Sequence, residues 1–170
     1  MAGELPHLAE KSEGCEITSP ETKYYNCIAW AAGDSSRNWW PLNYSYWPRG
    51  VARELTLDAF IQAFGTLGYE PCKDGKVEKN YEKIVLYLLN GEPTHAARQL
   101  SDGRWSSKLG KAHDVSHRTV RGVEGPCYGK ATQYMRRRVG RSLGTDPATP
   151  TSDLASTEGH DTDDGPAPVE

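Results

Sequence analysis

The sequence predicts an α+β domain in which an antiparallel sheet of about four to six strands packs against two helices. Segments with helical signals come first in the chain, and segments rich in β-forming residues follow them. Helices that precede the strands in this way, without alternating βαβ units, are typical of the α+β class. Asp102-Gly103, which lies between two candidate strands, is the strongest hairpin signal in the chain.

The first predicted helix begins at Cys27. Asn26 is a favourable N-cap residue, alanines follow the cysteine closely, and Gly33 is a favourable stop. Cys27 therefore lies in the first turn of a helix, where unpaired backbone N–H groups and the helix dipole favour a thiolate. A cysteine in this position is typical of a cysteine nucleophile.

The segment after this helix, residues 38–48, is dense in aromatic side chains, and we refer to it as the aromatic loop. It contains Trp39, Trp40 and Trp47, and its two prolines exclude a long helix. Two interpretations apply. The rings cover one end of the sheet and fill the core, or they line a cleft beside Cys27 and bind substrate.

A second helix is predicted after Thr56, a favourable N-cap residue. Leu57, Phe60, Ile61 and Phe64 follow at spacings of three and four, which indicates one buried helical face. Glycines at positions 65 and 68 end the helix, and a strand can begin there.

The remaining segments predict a β-meander. Residues 83–87 and 94–100 form candidate strands, residues 104–110 return after the hairpin turn, and residues 131–135 form a last strand. His95 lies near the start of a central strand in this scheme. The chain order is therefore a helix with a cysteine, a second helix, and a sheet with a histidine.

This order predicts a reaction at a thiol. A cysteine needs an imidazole to become a thiolate at neutral pH, and the imidazole needs a third group to fix its tautomer. We assign Cys27 as the nucleophile that attacks a carbonyl, His95 as the base, and Asp114 as the orienting carboxylate.

Further side chains are candidates for supporting roles. Ser107 and His117 are alternative orienting groups for the imidazole. The backbone N–H of Cys27, together with Asn26 or Tyr25, is a candidate donor set for an oxyanion. The site as predicted holds no metal ion and no cofactor.

Motifs between residues 15 and 136 resemble those of a bacterial family of domains without an assigned function. The motifs are Tyr25-Asn26-Cys27-Ile28-Ala29-Trp30-Ala31-Ala32-Gly33, Trp39-Trp40-Pro41, Tyr46-Trp47-Pro48, Thr94-His95-Ala96-Ala97-Arg98-Gln99-Leu100 with Asp102-Gly103-Arg104-Trp105, Ser107-Lys108-Leu109-Gly110, and Asp114-Val115-Ser116-His117. The order of the cysteine helix and the histidine strand is also similar to that of papain-like and cell-wall-type cysteine hydrolases. That second resemblance implies a cysteine-hydrolase-like fold and a thiol-dependent hydrolase or acyl transferase acting on an amide or ester.

Each candidate also has a purely structural interpretation. Cys27 can be a small buried apolar residue, and His95 can be a hydrogen-bonded strand histidine. Asp114 and His117 can form a turn or a helix cap without any chemistry. The corresponding alternative function is a non-catalytic module that binds a peptide or protein partner through the aromatic loop.

Composition indicates one folded domain at residues 15–139, after an N-terminal arm at 1–14. Residues 146–170 contain seven acidic and no basic side chains, and they are rich in Pro, Thr and Ser. This composition predicts a disordered acidic tail at 140–170. The rest of the chain has 20 basic and 16 acidic residues, a net charge of about +4.

The sequence also disfavours several classes of partner. Four widely spaced cysteines predict free thiols, and they lack the paired spacing of a structural zinc site. Phosphate-loop, dinucleotide and zinc-protease motifs are missing, and the basic run at residues 136–138 has no nucleic-acid-binding motif beside it. Without a signal-peptide core or a long apolar stretch, we expect a cytoplasmic protein with no membrane partner.

Overall fold

The computed structural model describes residues 5–139, and they form one seven-stranded antiparallel sheet with two α-helices. The helices are α1 (Cys27–Ala32) and α2 (Leu57–Gly65). The strands are β1 (Glu16–Ile17), β2 (Glu70–Cys72), β3 (Tyr81–Leu89), β4 (Glu92–Gln99), β5 (Trp105–Lys108), β6 (Asp114–His117) and β7 (Lys130–Arg138). Single 3₁₀ turns occupy Lys11–Glu13 and Val120–Val123.

The strands lie in the order β1-β6-β5-β4-β3-β7-β2, and every neighbouring pair is antiparallel. The α+β class and the antiparallel sheet are confirmed, but the expected four to six strands were too few. Two strands carry no clear sequence signal. β1 has two residues, both exposed. β6 is buried along its whole length, so its polar residues do not alternate with apolar ones in the usual way.

Both helices begin and end where the sequence predicts. The Asn26 side chain accepts a hydrogen bond from the Ala29 N–H, and the Thr56 side chain accepts one from the Ala59 N–H. These bonds satisfy backbone donors that have no partner inside the helix. α1 ends at Gly33, whose φ of 81° is accessible to glycine with little strain.

The sheet separates two hydrophobic cores. On the face that carries both helices, called the helix-side face, Ile84, Leu86 and Ala96 pack against α1 and α2. On the opposite face, called the far face, Val85 and Ala97 belong to a second buried cluster. Since successive strand residues point to opposite faces, this alternation fixes the side to which each neighbouring side chain points.

Two hairpins organise the centre of the sheet. Asn90 and Gly91 join β3 to β4 with φ angles of 54° and 88°, the left-handed pair that a two-residue turn requires. Residues 100–104 join β4 to β5, where the Leu100 N–H donates to the Arg104 carbonyl at 2.7 Å. Gly103 has a φ of 87° there. The predicted Asp102-Gly103 hairpin is therefore confirmed.

The segment before β1 packs against the domain. Leu5 is buried, and the Glu13 carboxylate accepts hydrogen bonds from the Thr119 N–H and hydroxyl at 2.9 and 2.6 Å. The predicted acidic tail at 140–170 lies outside the described residues, as do residues 1–4. Within residues 5–139, neither helix has the length and apolar content needed to cross a bilayer.

Candidate functional site

Cys27 lies at the start of α1, as the sequence predicts, but its side chain is buried. The residue is 7% exposed, and Sγ donates to the Thr94 carbonyl oxygen at 3.9 Å. Burial raises the pKa of the thiol to about 11, and the backbone N–H groups of Ala96 and Ile28 offset only part of that effect. Desolvation therefore opposes the expected thiolate in this conformation more strongly than the helix terminus favours it, and the assignment of Cys27 as a nucleophile stays a prediction.

The structure places Cys27 and His95 on opposite faces of the sheet. Ala96 belongs to the same core cluster as Cys27 on the helix-side face, so His95, its neighbour in β4, points to the far face. There the imidazole stacks on Tyr128 with ring centroids 4.1 Å apart and meets the edge of Tyr87 at 5.3 Å. Within residues 5–139, Cys27 and His95 share no hydrogen bond.

His95 instead belongs to a buried chain of hydrogen bonds with the two alternative orienting residues. His95 Nε2 lies 3.0 Å from Ser107 Oγ, which lies 2.9 Å from His117 Nε2. His117 Nδ1 lies 2.7 Å from the Thr119 carbonyl oxygen. All three linked side chains are buried. We call this chain the histidine–serine wire.

The wire fixes the tautomers of both histidines. Because the Thr119 carbonyl only accepts, His117 carries its proton on Nδ1 and accepts at Nε2 from the Ser107 hydroxyl. The Ser107 oxygen then accepts from His95 Nε2–H. His95 Nδ1 is left as a lone pair without a hydrogen-bond partner among the described residues. Burial, and then the nearby His117, lower the pKa of His95 to about 3.

The low pKa of His95 predicts a loss of stability in mild acid. The unfolded chain binds a proton at this side chain near pH 6.5 and the folded chain near pH 3. Its stabilising contribution is complete above pH 6.5 and is lost as the pH falls towards 3. Between pH 7.5 and 5.0 we expect a loss of about 2 kcal/mol from His95 alone. Burial also lowers the pKa of His117, which acts in the same direction.

Urea unfolding at pH 7.5 and 5.0 measures this loss. His95→Gln is the control, because its amide can still donate to Ser107 but does not titrate. The free energy of unfolding of this variant should fall by about 2 kcal/mol less than that of the wild type. Equal losses in both proteins would contradict this prediction, because they would mean that the pKa of His95 is nearly the same in the folded and the unfolded chain.

Asp114 lies on the helix-side face and does not orient His95. Its Oδ2 accepts a hydrogen bond from the Tyr25 hydroxyl at 2.7 Å, and its Oδ1 lies 3.8 Å from Lys108 Nζ. The side chains of Lys108 and Asp114 are 0% and 1% exposed, and Lys108 also donates to the Ala112 carbonyl. The sequence assigned Tyr25 to an oxyanion donor set and Asp114 to the orientation of His95, whereas the structure joins these two residues to each other and to Lys108.

Tyr25 and Lys108 belong to a row beside α1 in which two stacked aromatic rings lie between two cations, and we call this row the cation–aromatic ladder. Lys108 Nζ lies 5.2 Å from the Tyr25 ring centroid, and the Tyr25 and Trp30 rings stack at 5.6 Å. The guanidinium of Arg98 lies 3.6 Å from the other end of the ladder, the Trp30 ring. Trp30 Nε1 donates to Ser106 Oγ at 3.0 Å, which fixes the indole in place. Each of the two cation–π contacts, Lys108 with Tyr25 and Arg98 with Trp30, adds about 0.5–1 kcal/mol or more.

Lys108 and Arg98 were not among the predicted site residues, although both lie in the motifs named above. The alternation of strand residues was the available signal. Arg98 follows Ala96 by two positions, and Lys108 follows Ser106 by two, so each pair shares one face. This alternation places Arg98 and Lys108 beside α1 only once the face of the sheet that α1 covers is known.

Two tryptophans of the aromatic loop belong to the core. Trp39 and Trp47 are buried, and Trp47 meets Phe60 at a centroid distance of 5.0 Å. Trp40 is half-buried against the same ring at 5.7 Å. Asn26 anchors the loop to α1, because its Nδ2 donates to the Trp39 carbonyl at 2.8 Å. These contacts fit the structural interpretation of the rings, and the assignment of substrate binding to them stays a prediction.

The tip of the aromatic loop, residues 42–44, points into solvent. Tyr44 is fully exposed, and Leu42 is 41% exposed. Asn43 and Tyr44 both adopt left-handed backbone conformations, with φ angles of 59° and 56°. Arg53 donates to one carbonyl on each side of the tip, at 3.1 Å in both cases. The tip is therefore a braced turn that presents an aromatic ring and an apolar side chain.

Within the part of the chain that the structure describes, no group of three or more His, Cys, Asp or Glu side chains is placed to hold a metal ion.

Comparison with known protein families gives a match over most of the described chain. The sequence model of a family described as Domain of unknown function (DUF7689) matches residues 16–136. No curated protein and no solved structure matches the chain. The expectation of a domain family without an assigned function is confirmed. The papain-like resemblance and the bacterial origin stay predictions.

Proposed function

The chain belongs to the family of the domain of unknown function DUF7689, and we propose that it is a non-catalytic module that binds a peptide or protein. The contact surface in this proposal is the tip of the aromatic loop, with Tyr44 at its centre. The buried Trp39 and Trp47 hold the loop in place, and the exposed tip makes the contact.

The conformation of Tyr44 carries the proposal. A left-handed conformation costs a residue with a Cβ about 1–2 kcal/mol, and glycine would avoid this cost. The fully exposed Tyr44 ring makes no packing contribution to the core that would offset this cost. An exposed aromatic side chain on a braced, strained turn is therefore better explained by contact with a partner than by stability.

The competing hypothesis is a thiol-dependent hydrolase or acyl transferase with Cys27, His95 and Asp114 as its catalytic group. A thiol with a pKa of about 11 is ionised in only about one molecule in ten thousand at pH 7. Its base would have to reach it from the far face, while Asp114 faces Tyr25 and Lys108. These contacts favour the binding function over the catalytic one.

A displayed library of random peptides tests the binding function directly. Peptides selected on the wild-type protein should bind Tyr44→Gly at least tenfold more weakly. The variant should keep its fold, because Asn43 followed by glycine is a favourable left-handed turn pair. Tyr24→Gly is the matched control, since Tyr24 is 72% exposed and lies outside the aromatic loop. If no peptide is enriched, or if Tyr44→Gly binds as well as the wild type, the proposed surface is wrong.

Alkylation with iodoacetamide at pH 7.5 separates the two hypotheses. We expect Cys27 to react at least about a hundredfold more slowly than the exposed Cys15 and Cys127, because it is buried and protonated. Peptide mass spectrometry gives the rate at each site, and the protein in urea shows the intrinsic rates. Fast labelling of Cys27 that disappears in His95→Ala would support the hydrolase instead.

A further inference from the structure

A second site lies on the helix-side face, independent of the aromatic-loop tip. It is a pocket of about 250 Å³ between the end of α1 and strands β3, β4 and β7. Its lining includes Ala31, Tyr69, Glu82, Arg98, Ser101 and Arg137. Two guanidinium groups and one carboxylate therefore meet in a space large enough for a small polar group.

Arg98 is the unusual member of this lining. It is half-buried, and its guanidinium is stacked 3.6 Å from the Trp30 ring centroid. Within residues 5–139 its side chain makes no hydrogen bond and no ion pair, although a guanidinium has five N–H donors. Burial lowers its pKa, while the nearby Asp114 raises it. A partly desolvated cation without a hydrogen-bonded anion is costly to keep in a fold.

Arg137 brings a second cation to the same pocket. In the sheet, Arg98 pairs with Ile84, and Arg137 pairs with Glu82, so the two arginines flank β3 on one face. Arg137 Nε donates to Glu82 at 2.7 Å, and its Nη1 donates to a backbone carbonyl. Glu82 thus forms its hydrogen bond with Arg137, and it acts on Arg98, as Asp114 does, only at longer range.

Tyr69 completes the lining with a further donor. The residue is 6% exposed, and burial raises the pKa of its hydroxyl to about 12. The hydroxyl therefore keeps its proton at neutral pH, and its ring lies 4.7 Å from the Arg137 guanidinium. A ligand that enters the pocket meets N–H and O–H donors and a net positive charge, and Lys83, which also lines the pocket, has its ammonium near Asp74 and Glu78.

We propose that this pocket binds an oxyanion, either a carboxylate or a phosphate group, through the Arg98 guanidinium with Arg137 as the second cation. The planar fork of arginine matches two oxygens of such a group, and the Trp30 ring holds that fork in one orientation. The ligand supplies the hydrogen-bonded anion that Arg98 lacks among the described residues. This inference does not depend on the proposed function of the loop tip.

Nuclear magnetic resonance titration tests the site with acetate and inorganic phosphate as separate probes. The signals to follow are Arg98 Nε–H and Trp30 Nε1–H, with sodium chloride at matched ionic strength as the reference. We expect saturable shifts with at least one oxyanion below about 20 mM, which corresponds to only about 2 kcal/mol of binding free energy. The probe that binds more tightly identifies the carboxylate or the phosphate as the natural group.

Variants of Arg98 show whether the oxyanion binds at this residue. Arg98→Gln should weaken binding at least tenfold, and Arg98→Lys, which keeps the charge but loses the fork, should weaken it severalfold. Arg118→Gln is the matched control, because it removes one exposed positive charge outside the pocket. Circular dichroism checks that each variant folds. The proposal fails if neither probe shifts the signals beyond chloride, or if Arg118→Gln weakens binding as much as Arg98→Gln does.

Discussion

Replacing Gly129 with alanine should lower the free energy of unfolding by at least about 3 kcal/mol. Gly129 has a φ of 76°, and it exchanges two backbone hydrogen bonds with Gly125 at 2.7 and 3.1 Å. A Cβ atom there would overlap the backbone carbonyl of Leu88 at the end of β3. The obstacle is backbone and not a flexible side chain, so the sheet itself would have to move.

Gly91→Ala is the control for this substitution. Gly91 has a φ of 88°, but nothing lies within 4 Å of the Cβ that alanine would add. It therefore carries only the left-handed strain, about 1–2 kcal/mol. Urea unfolding should show that Gly129→Ala costs at least about 2 kcal/mol more than Gly91→Ala. Equal costs would mean that the backbone around Leu88 yields easily.

Removing either charge of the Lys108–Asp114 pair should have an effect of similar size, about 3–5 kcal/mol. Asp114→Leu leaves the Lys108 ammonium buried, with the Ala112 carbonyl as its remaining hydrogen-bond acceptor, and leaves the Tyr25 hydroxyl without its acceptor. Lys108→Met leaves the Asp114 carboxylate with the Tyr25 hydrogen bond and the more distant charge of Arg98. In each case a charge that has lost its nearest charged partner stays in a region where both side chains are at most 1% exposed.

A double-mutant cycle separates this electrostatic coupling from loss of packing. The double variant Lys108→Met/Asp114→Leu contains no buried charge, so it should recover a large part of the loss seen in each single variant. Urea unfolding of all four proteins gives the coupling free energy. Asp114→Asn is a useful additional variant, because it keeps an acceptor for Tyr25 and removes only the charge. Additive losses of less than about 1 kcal/mol each would show that water reaches the pair.

Local signals in the sequence were sufficient for most of the fold. Asn26 and Thr56 act as the helix caps that their side chains predict, and Asp102-Gly103 forms the expected hairpin. β6 could not be predicted in the same way. Its residues Asp114 and His117 are polar yet buried, because their partners come from Tyr25 and Ser107. Such partners are distant in sequence, and a local pattern cannot reveal them.

The candidate site was predictable only as a set of residues. Tyr25 and Asp114 do meet, and so do His95, Ser107 and His117. The sequence could not show that these are two separate groups on two faces of one sheet. That division depends on which face α1 covers, and α1 can pack on either face without any change in its own hydrophobic pattern.

Alternate residues of β5 contribute to different groups on the two faces of the sheet, and this limits how the domain can change during evolution. Ser106 and Lys108 serve the cation–aromatic ladder, while Ser107 between them serves the histidine–serine wire. An insertion or deletion of one residue in the turn at 100–104 would slide β5 by one position and exchange these roles. The hydroxyl of the wire and the ammonium of the ladder would then point to the wrong sides. The length of this turn is therefore as constrained as the identity of the residues it positions.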